Sequence, residues 1–279
     1  MIDLHTHSTV SDGSEAPERI PELAAAAGSS AVALTDHDSF GGLEAAARRA
    51  EALGVRLVPG CEVSCRSPAG SMHVLVYFAD PAGSPLADEL ARLRQDRVAR
   101  NKALAERLAT LGVHVDYGSL VESAGGESGL GRPHFAQALV SSGAASSIED
   151  AFDRWLAAGR PAYVPKARVT PEEVAQLARA SGGVAVLAHP LTLSLEPPAL
   201  DSLVGELAAA GFSGIEAIYG RYTPEEREGL ALMAARHGLV ATGGSDFHGT
   251  FKPGLSVGTG TGDLDVPDSI LDELESRTA

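Results

Sequence analysis

The feature that most limits what this chain can become is its alternation. Short continuous apolar runs recur along the 279 residues, separated by stretches with helical spacing and turn residues. The runs are Ile2 to Leu4, Ala31 to Thr35, Val55 to Gly60, Met72 to Phe78, Val184 to Ala188, Gly214 to Tyr219 and Leu239 to Thr242. Between them, Ala16 to Ala27 reads as a helix closed by Gly28, and Gly41 to Leu53 as one ending at Gly54. Thr170-Pro171-Glu172-Glu173 supplies an N-cap, a proline at the first helical position and a glutamate three residues on, which is a strong helix start. Ala199 to Ala210, Pro224 to His237 and Pro267 to Ser276 complete the series. Strands alternating with helices argue for a parallel α/β architecture. If it closes into a barrel, the reactive groups belong at the C-terminal ends of the strands.

The alternation breaks once. From about Pro81 to Arg160 no run reads as a buried strand, and Leu86 to Leu111 reads as one long charged helix carrying Arg92, Arg94, Arg97, Arg100 and Arg107. The division predicted is therefore a barrel from 1–80 and 166–279, with an inserted, mainly helical subdomain over 81–165. Aromatics make up only 5% of a chain that is 44% hydrophobic, so Ala, Leu and Val must build the interior.

Charge and cysteine usage exclude several classes. Lys and Arg number 22 against 37 Asp and Glu, a net −15, and a field of that sign repels duplex nucleic acid and anionic membranes. It does not exclude a small phosphorylated ligand, because bound divalent cations reverse the sign locally. Cys61 and Cys65 are too few for a disulfide framework. With no cleavable leader pattern and no apolar run of about 18 residues, the expectation is a soluble, cytoplasmic protein.

Imidazoles and carboxylates fall where the barrel rule asks for them. The first strand runs into His5-Thr6-His7, whose side chains share one face, with Asp12 in the loop beyond. The second ends in Asp36-His37-Asp38, and the third is followed by Glu62. His73 opens the fourth, His189 follows the fifth, and the last leads to Asp246-Phe247-His248. His134 adds a candidate from the insertion. Each residue taken alone has an ordinary explanation as a cap, a solvated charge or a core histidine. Together they suit Zn, Mn or Fe rather than Ca or Mg, and they are too many for one tetrahedral ion. Two or three divalent transition metals fit, as in sites that clamp both oxygens of a phosphoryl transfer.

These motifs are similar to those of the PHP (polymerase and histidinol phosphatase) superfamily. The match rests on Asp3-Leu4-His5-Thr6-His7-Ser8, Thr35-Asp36-His37-Asp38, Gly60-Cys61-Glu62-Val63, the His73 strand and Gly244-Ser245-Asp246-Phe247-His248. Gly131-Arg132-Pro133-His134, Tyr163-Val164-Pro165-Lys166 and Ala188-His189-Pro190 resemble the stand-alone branch that acts on 3′,5′-nucleoside bisphosphates and short oligoribonucleotides. The resemblance implies a distorted (β/α)7 TIM-like barrel with a trinuclear metal centre. It implies His5, His7, Glu62 and Asp246 on a first metal, Glu62, His73 and His134 on a second, and Asp12, His37 and His248 on a third. The implied reaction is attack of metal-held hydroxide on a phosphate monoester or diester, with Asp246 essential to it.

Arg132 and Lys166 are the expected phosphate contacts, and His189 a phosphate contact or a proton donor to the leaving group. Asp36 is expected to orient an imidazole. Arg97, Arg100 and Asn101, or Tyr219, Tyr222 and Phe135, are candidates for meeting a nucleotide, with a solvated face or plain packing as the alternative. The competing functions are a histidinol-phosphate phosphatase and a non-catalytic metal- or nucleotide-binding module. Nothing in the sequence names a protein partner.

Overall fold

A computed structural model describes residues 1–67, 70–127, 129–165 and 168–278. It divides into two compact units, Met1–Leu90 with Arg168–Ala279, and Ala91–Ala167. The first unit carries a seven-stranded sheet in the order of the chain. Its strands are β1 (Ile2–Asp3), β2 (Ala31–Leu34), β3 (Arg56–Ser67), β4 (Gly70–Tyr77), β5 (Val184–Leu187), β6 (Gly214–Tyr219) and β7 (Val240–Gly244). The ends of the sheet approach each other. Leu4 N–H donates to Gly243 O at 3.2 Å, Asp246 N–H to His5 O at 2.8 Å and His7 N–H to Phe247 O at 2.9 Å. The result is the expected distorted TIM-like barrel, nearly closed.

The strands are not all parallel, as the alternation alone had suggested. β3 runs through Glu62 to Ser67 and pairs antiparallel with β4, which pairs antiparallel with β5. Reversing β4 has a consequence for the site. His73 lies early in a strand that runs backwards, so it reaches the same end of the barrel as residues that follow the forward strands. Glu62 lies within β3 rather than after it, opposite Leu75 of β4.

Side-chain alternation explains the layers. Along β2, Ala31 and Ala33 join Leu4, Val58, Leu75, Val186 and Val240 in the inner cluster, which Leu271 and Leu274 also enter. Val32 and Leu34 face the other way, against Ile20 and Ala24 of α1 (Arg19–Ala27) and Leu43 and Ala46 of α2 (Leu43–Leu53). Small residues inside and small residues on the helices meet the shortage of aromatics. Gly28 ends α1 at φ 76°, where its N–H bonds Ala24 O and Ala25 O.

The chain then forms α3 (Pro85–Thr110), α4 (Tyr117–Ser123), α5 (Arg132–Ser141) and the short α6 (Ile148–Ala151), which a π turn extends over Phe152–Leu156. The second unit holds its own core of Leu104, Leu108, Leu130, Phe135, Leu139 and Leu156. α7 (Pro171–Ala180) begins with the capping box read from the sequence, Thr170 and Glu173 each accepting the other's backbone N–H. α8 (Pro197–Ala209), α9 (Pro224–Arg236) and α10 (Ser269–Glu275) complete the barrel unit. No described helix is long and apolar enough to cross a membrane.

Candidate metal centre

The ends of the forward strands and the start of β4 bring the ligand-type residues together. After β1 the chain stays extended, so His5 and His7 point into the centre while Thr6 points away. Thr6 Oγ1 donates to Ala33 O at 2.6 Å and fixes that alternation to β2. Asp246 takes a left-handed backbone, φ 53°, directly after the Ser245 N–H has bonded Asp3 Oδ1 at 2.9 Å. Asp and His tolerate that region better than most residues, and its use here re-aims the side chain. His189 is similar, at φ 27°, just before the 3-10 turn Pro190–Leu193.

Three groups of donor atoms lie close enough to share ions. His5, His7 and Asp246 form one, His37, Glu62 and His73 another, and His7, Asp12, His37 and His248 a third, each with its ligand atoms within 4.8 Å of one another. Glu62 stands between them. Its Oε2 is 3.1 Å from His7 Nε2 and 3.4 Å from His5 Nε2. Its Oε1 is 3.0 Å from His73 Nδ1 and 2.9 Å from His189 Nε2. Asp12, the exposed member, reaches His248 Nε2 at 3.2 Å and His37 Nε2 at 3.5 Å.

The donor set fits metal ions on two independent grounds. The first is the tautomer each partner imposes. His5 Nδ1 is 2.8 Å from Glu216 Oε1, and His248 Nδ1 is 2.9 Å from the carbonyl oxygen of Asp246. Both oxygens only accept, so both Nδ1 atoms carry a proton. Thr192 spends its hydroxyl proton on His189 O, and Ser11 spends its own on the carboxylate of Asp36 or Asp12, so each hydroxyl accepts from an imidazole. His189 Nδ1 is 2.9 Å and His7 Nδ1 3.4 Å from those hydroxyls. Four histidines therefore turn Nε2 inward, where the lone pair is free to hold a metal. The second ground is a pair of orphaned atoms. His37 Nδ1 and Asp246 Oδ1 are buried with no hydrogen bond, although His37 Nδ1 is 3.2 Å from Glu62 Oε2. Buried polar atoms are rarely left so. These donors converge on shared space rather than on each other.

Electrostatics agree. Burial opposes charge on His5, but Glu216, Asp246 and Glu62 outweigh it and push its imidazole well above the ordinary histidine value. Burial presses His7 below that value and His37 down to about 4. Burial also resists ionisation of Glu62, Asp246 and Asp12, yet the surrounding imidazoles hold all three carboxyls well below the usual range. The carboxylates are thus charged, and charge of that sign gathered inside a barrel calls for cations.

Of the predicted residues, His5, His7, Asp12, His37, Glu62, His73, Asp246 and His248 come together, and His189 joins them beside Glu62. His134 belongs to the helical unit, where its Nδ1 accepts the Gly131 N–H at 3.2 Å. Arg132 donates to Leu156 O at 3.3 Å and lies over the Phe152 and Tyr163 rings. Lys166 lies outside the described residues. Asp36 orients a histidine only at one remove. It accepts from the Ser8 N–H and from the hydroxyls of Ser8 and Ser11, and Ser11 in turn meets His7. Three of the candidates for meeting a nucleotide are engaged inside the protein. Phe135 is fully buried, Tyr222 accepts the Leu191 N–H, and Asn101 is buried with its amide on Leu130 O.

The sequence reading missed three residues that support the ligands. Glu216, in the middle of an apolar strand, was passed over, although a lone carboxylate in such a run is itself a signal. Tyr219 donates its hydroxyl to Asp246 Oδ2 at 2.7 Å, and Lys252 donates to the same oxygen at 2.5 Å. Those two leave Oδ1 as the free oxygen of Asp246.

Comparison with known proteins places the chain among metal-dependent phosphoesterases by similarity. A family model described as the PHP domain matches residues 3–158. The chain is 35% identical to a 3′,5′-nucleoside bisphosphate phosphatase of Chromobacterium violaceum, covering 99% of this chain and 97% of that protein. It is 35% identical to the 5′-3′ exoribonuclease Rnm of Salmonella typhimurium over 89% of this chain and 85% of the relative. The crystal structure of a candidate metal-dependent phosphoesterase from Bifidobacterium adolescentis superimposes with a TM-score of 0.79 at 32% identity, covering 100% of this chain and 96% of that one. Motifs, barrel and convergent ligands agree with these matches, and the chain belongs to the PHP domain family.

Proposed function

We propose that this protein hydrolyses a phosphate ester of a small nucleotide, with two or three divalent transition metals drawn from manganese, zinc and iron. The substrate class is a 3′,5′-nucleoside bisphosphate or a short oligoribonucleotide. The observation that carries the reading is Glu62, whose two oxygens each face a different set of imidazoles. A carboxylate so placed suits a multinuclear rather than a mononuclear centre. The relatives that act on a nucleoside bisphosphate and on RNA support the nucleotide class.

Bound metals would supply positive charge for the phosphoryl oxygens and lower the pKa of water to near neutrality. The protein's own groups do the rest. His5, His7, Glu62 and Asp246 would hold one ion, Asp12, His37 and His248 another. Glu62 and His73 would hold a third together with His189, whose Nδ1 proton is committed to Thr192 and whose Nε2 faces the carboxylate. With that tautomer His189 suits metal holding better than proton transfer. We assign His134 to a metal and Arg132 and Lys166 to the phosphate on sequence motif and charge. Buried thiols at Cys61 and Cys65, neither in a disulfide, favour a reducing, cytoplasmic setting.

The test is a side-by-side assay of adenosine 3′,5′-bisphosphate, short RNA and histidinol phosphate with added Mn, Zn or Fe. Turnover of either of the first two is expected. Turnover of histidinol phosphate alone would replace the substrate class.

A further inference from the structure

One residue outside the ligand set touches two of its members from a strand between them. Glu216 lies on β6, opposite Thr242 of β7, and none of its surface is exposed. Its Oε1 is 2.8 Å from His5 Nδ1, at the end of β1. Its Oε2 accepts the His189 backbone N–H at 2.7 Å, at the end of β5. No third hydrogen-bonding partner competes for it among the described residues. Both oxygens are therefore spent, each on a different strand end.

We propose that Glu216 is a positioning residue that sets two metal-holding histidines at once. This rests on the metal-dependent reading of the site. Through Oε1 it keeps the His5 proton on Nδ1, so that Nε2 offers its lone pair to the ion. Through Oε2 it holds His189 in its left-handed backbone turn, at φ 27°, which aims that ring at Glu62. An acceptor on both sides is the requirement. A carboxylate provides it, and a carboxamide of the same shape does not. In Glu216→Gln, one side of the group becomes an NH2. If the NH2 faces His5, it must donate to Nδ1, and the His5 proton moves to Nε2, where it blocks the ion. If the NH2 faces His189, it opposes a backbone N–H, and the strained turn loses the acceptor for that N–H.

The test measures metal binding and needs no turnover. Metal-free wild type, Glu216→Gln, His5→Ala and the double variant are titrated with Mn2+ and with Zn2+ by calorimetry. Thermal unfolding of each metal-free protein checks the fold. Glu216→Gln is expected to weaken binding about 10- to 100-fold. It should cost markedly less when His5 is already alanine, because part of its effect passes through that ring. Binding within twofold of wild type by a folded Glu216→Gln protein overturns the proposal, as does full additivity with His5→Ala. A second measurement does not depend on the variant folding. Imidazole 15N spectra of the zinc-loaded wild type should show His5 protonated at Nδ1 and metal-bound at Nε2, and the opposite tautomer overturns the assignment. A wild-type protein that binds no divalent metal overturns the metal reading itself and this inference with it.

Discussion

His5 and His7 bring their Nε2 atoms to 3.1 Å of each other inside the barrel. Two inward lone pairs at that distance repel unless a proton or a cation lies between them. Carboxylates of Glu62 and Asp246 stand 3.1–3.5 Å from the same two nitrogens. Chelation should therefore destabilise the protein, and metal should restore it. At about a hundredfold excess over Kd, a bound ion adds about 2.7 kcal/mol. Thermal unfolding with chelator and then with Mn2+ or Zn2+ reads this, alongside metal analysis that should find more than one ion per chain. An unfolding temperature indifferent to both treatments would argue against the centre.

Asp246 links the centre to the protein's outer groups, and removing it separates chemistry from folding. Asp246→Ala deletes the free Oδ1 and should abolish phosphoesterase turnover while circular dichroism stays that of the wild type. Tyr219→Phe is the milder change. It keeps the ring, which packs at 4.7 Å from that of Tyr222, but drops the bond to Asp246 Oδ2 and leaves that oxygen to Lys252. Metal affinity should fall about tenfold, with a loss in metal-free stability near 1 kcal/mol. Full turnover by Asp246→Ala would remove it from the site.

The histidines also set how metal-free stability depends on pH, and the signs differ among them. His37, down at about 4, and His7, also lowered by burial, resist protonation in the folded state. Stability from these two rises as pH climbs from about 4 to about 6.5, where the unfolded histidine releases its proton. The depressed carboxyls of Asp12, Glu62 and Asp246 act in the same direction at lower pH. Burial also lowers His5 and His189, but their carboxylate neighbours prevail and raise both. What they contribute is complete below about 6.5 and is lost as pH rises through their raised values. Unfolding of chelated protein should show greatest stability near pH 6.5, falling to either side. A steady rise to about pH 9 would contradict the assignment of His5 and His189.

Much of this site was legible because its parts are local. His5-Thr6-His7 and Asp246-Phe247-His248 each place two candidate ligands at spacing two, and an extended chain turns the first pair inward whatever the rest of the fold does. Capping at Thr170 and the glycine stop at Gly28 were equally local. Strand direction was not. Nothing within Met72 to Phe78 states that β4 runs backwards, because direction is a property of the pairing with β3 and β5. Glu216 was missed for the same reason. Its two partners lie 211 and 27 residues away, and its meaning appears only when the strand ends converge. Tyr219 was read for its ring, whereas its hydroxyl makes the contact that matters.

Gly244 shows how tightly the closing strand is fitted to the first. A Cβ added there would lie 2.5 Å from both the Cβ and the backbone N of His5, and 3.0 Å from Asp3 Oδ1. Two of those atoms can move only if β1 moves away from β7. Gly244→Ala should therefore cost about 1–3 kcal/mol from overpacking and weaken metal binding, because the displaced residue is a proposed ligand. Gly229 in α9 is the control. A Cβ there meets nothing within 4 Å, and alanine in a helix interior is favoured over glycine by about 0.5–1 kcal/mol. Gly229→Ala should raise the unfolding temperature and leave metal affinity alone. Denaturation and metal titration of the two variants give the comparison. If Gly244→Ala matches Gly229→Ala on both, the contact between β7 and His5 does not constrain the site.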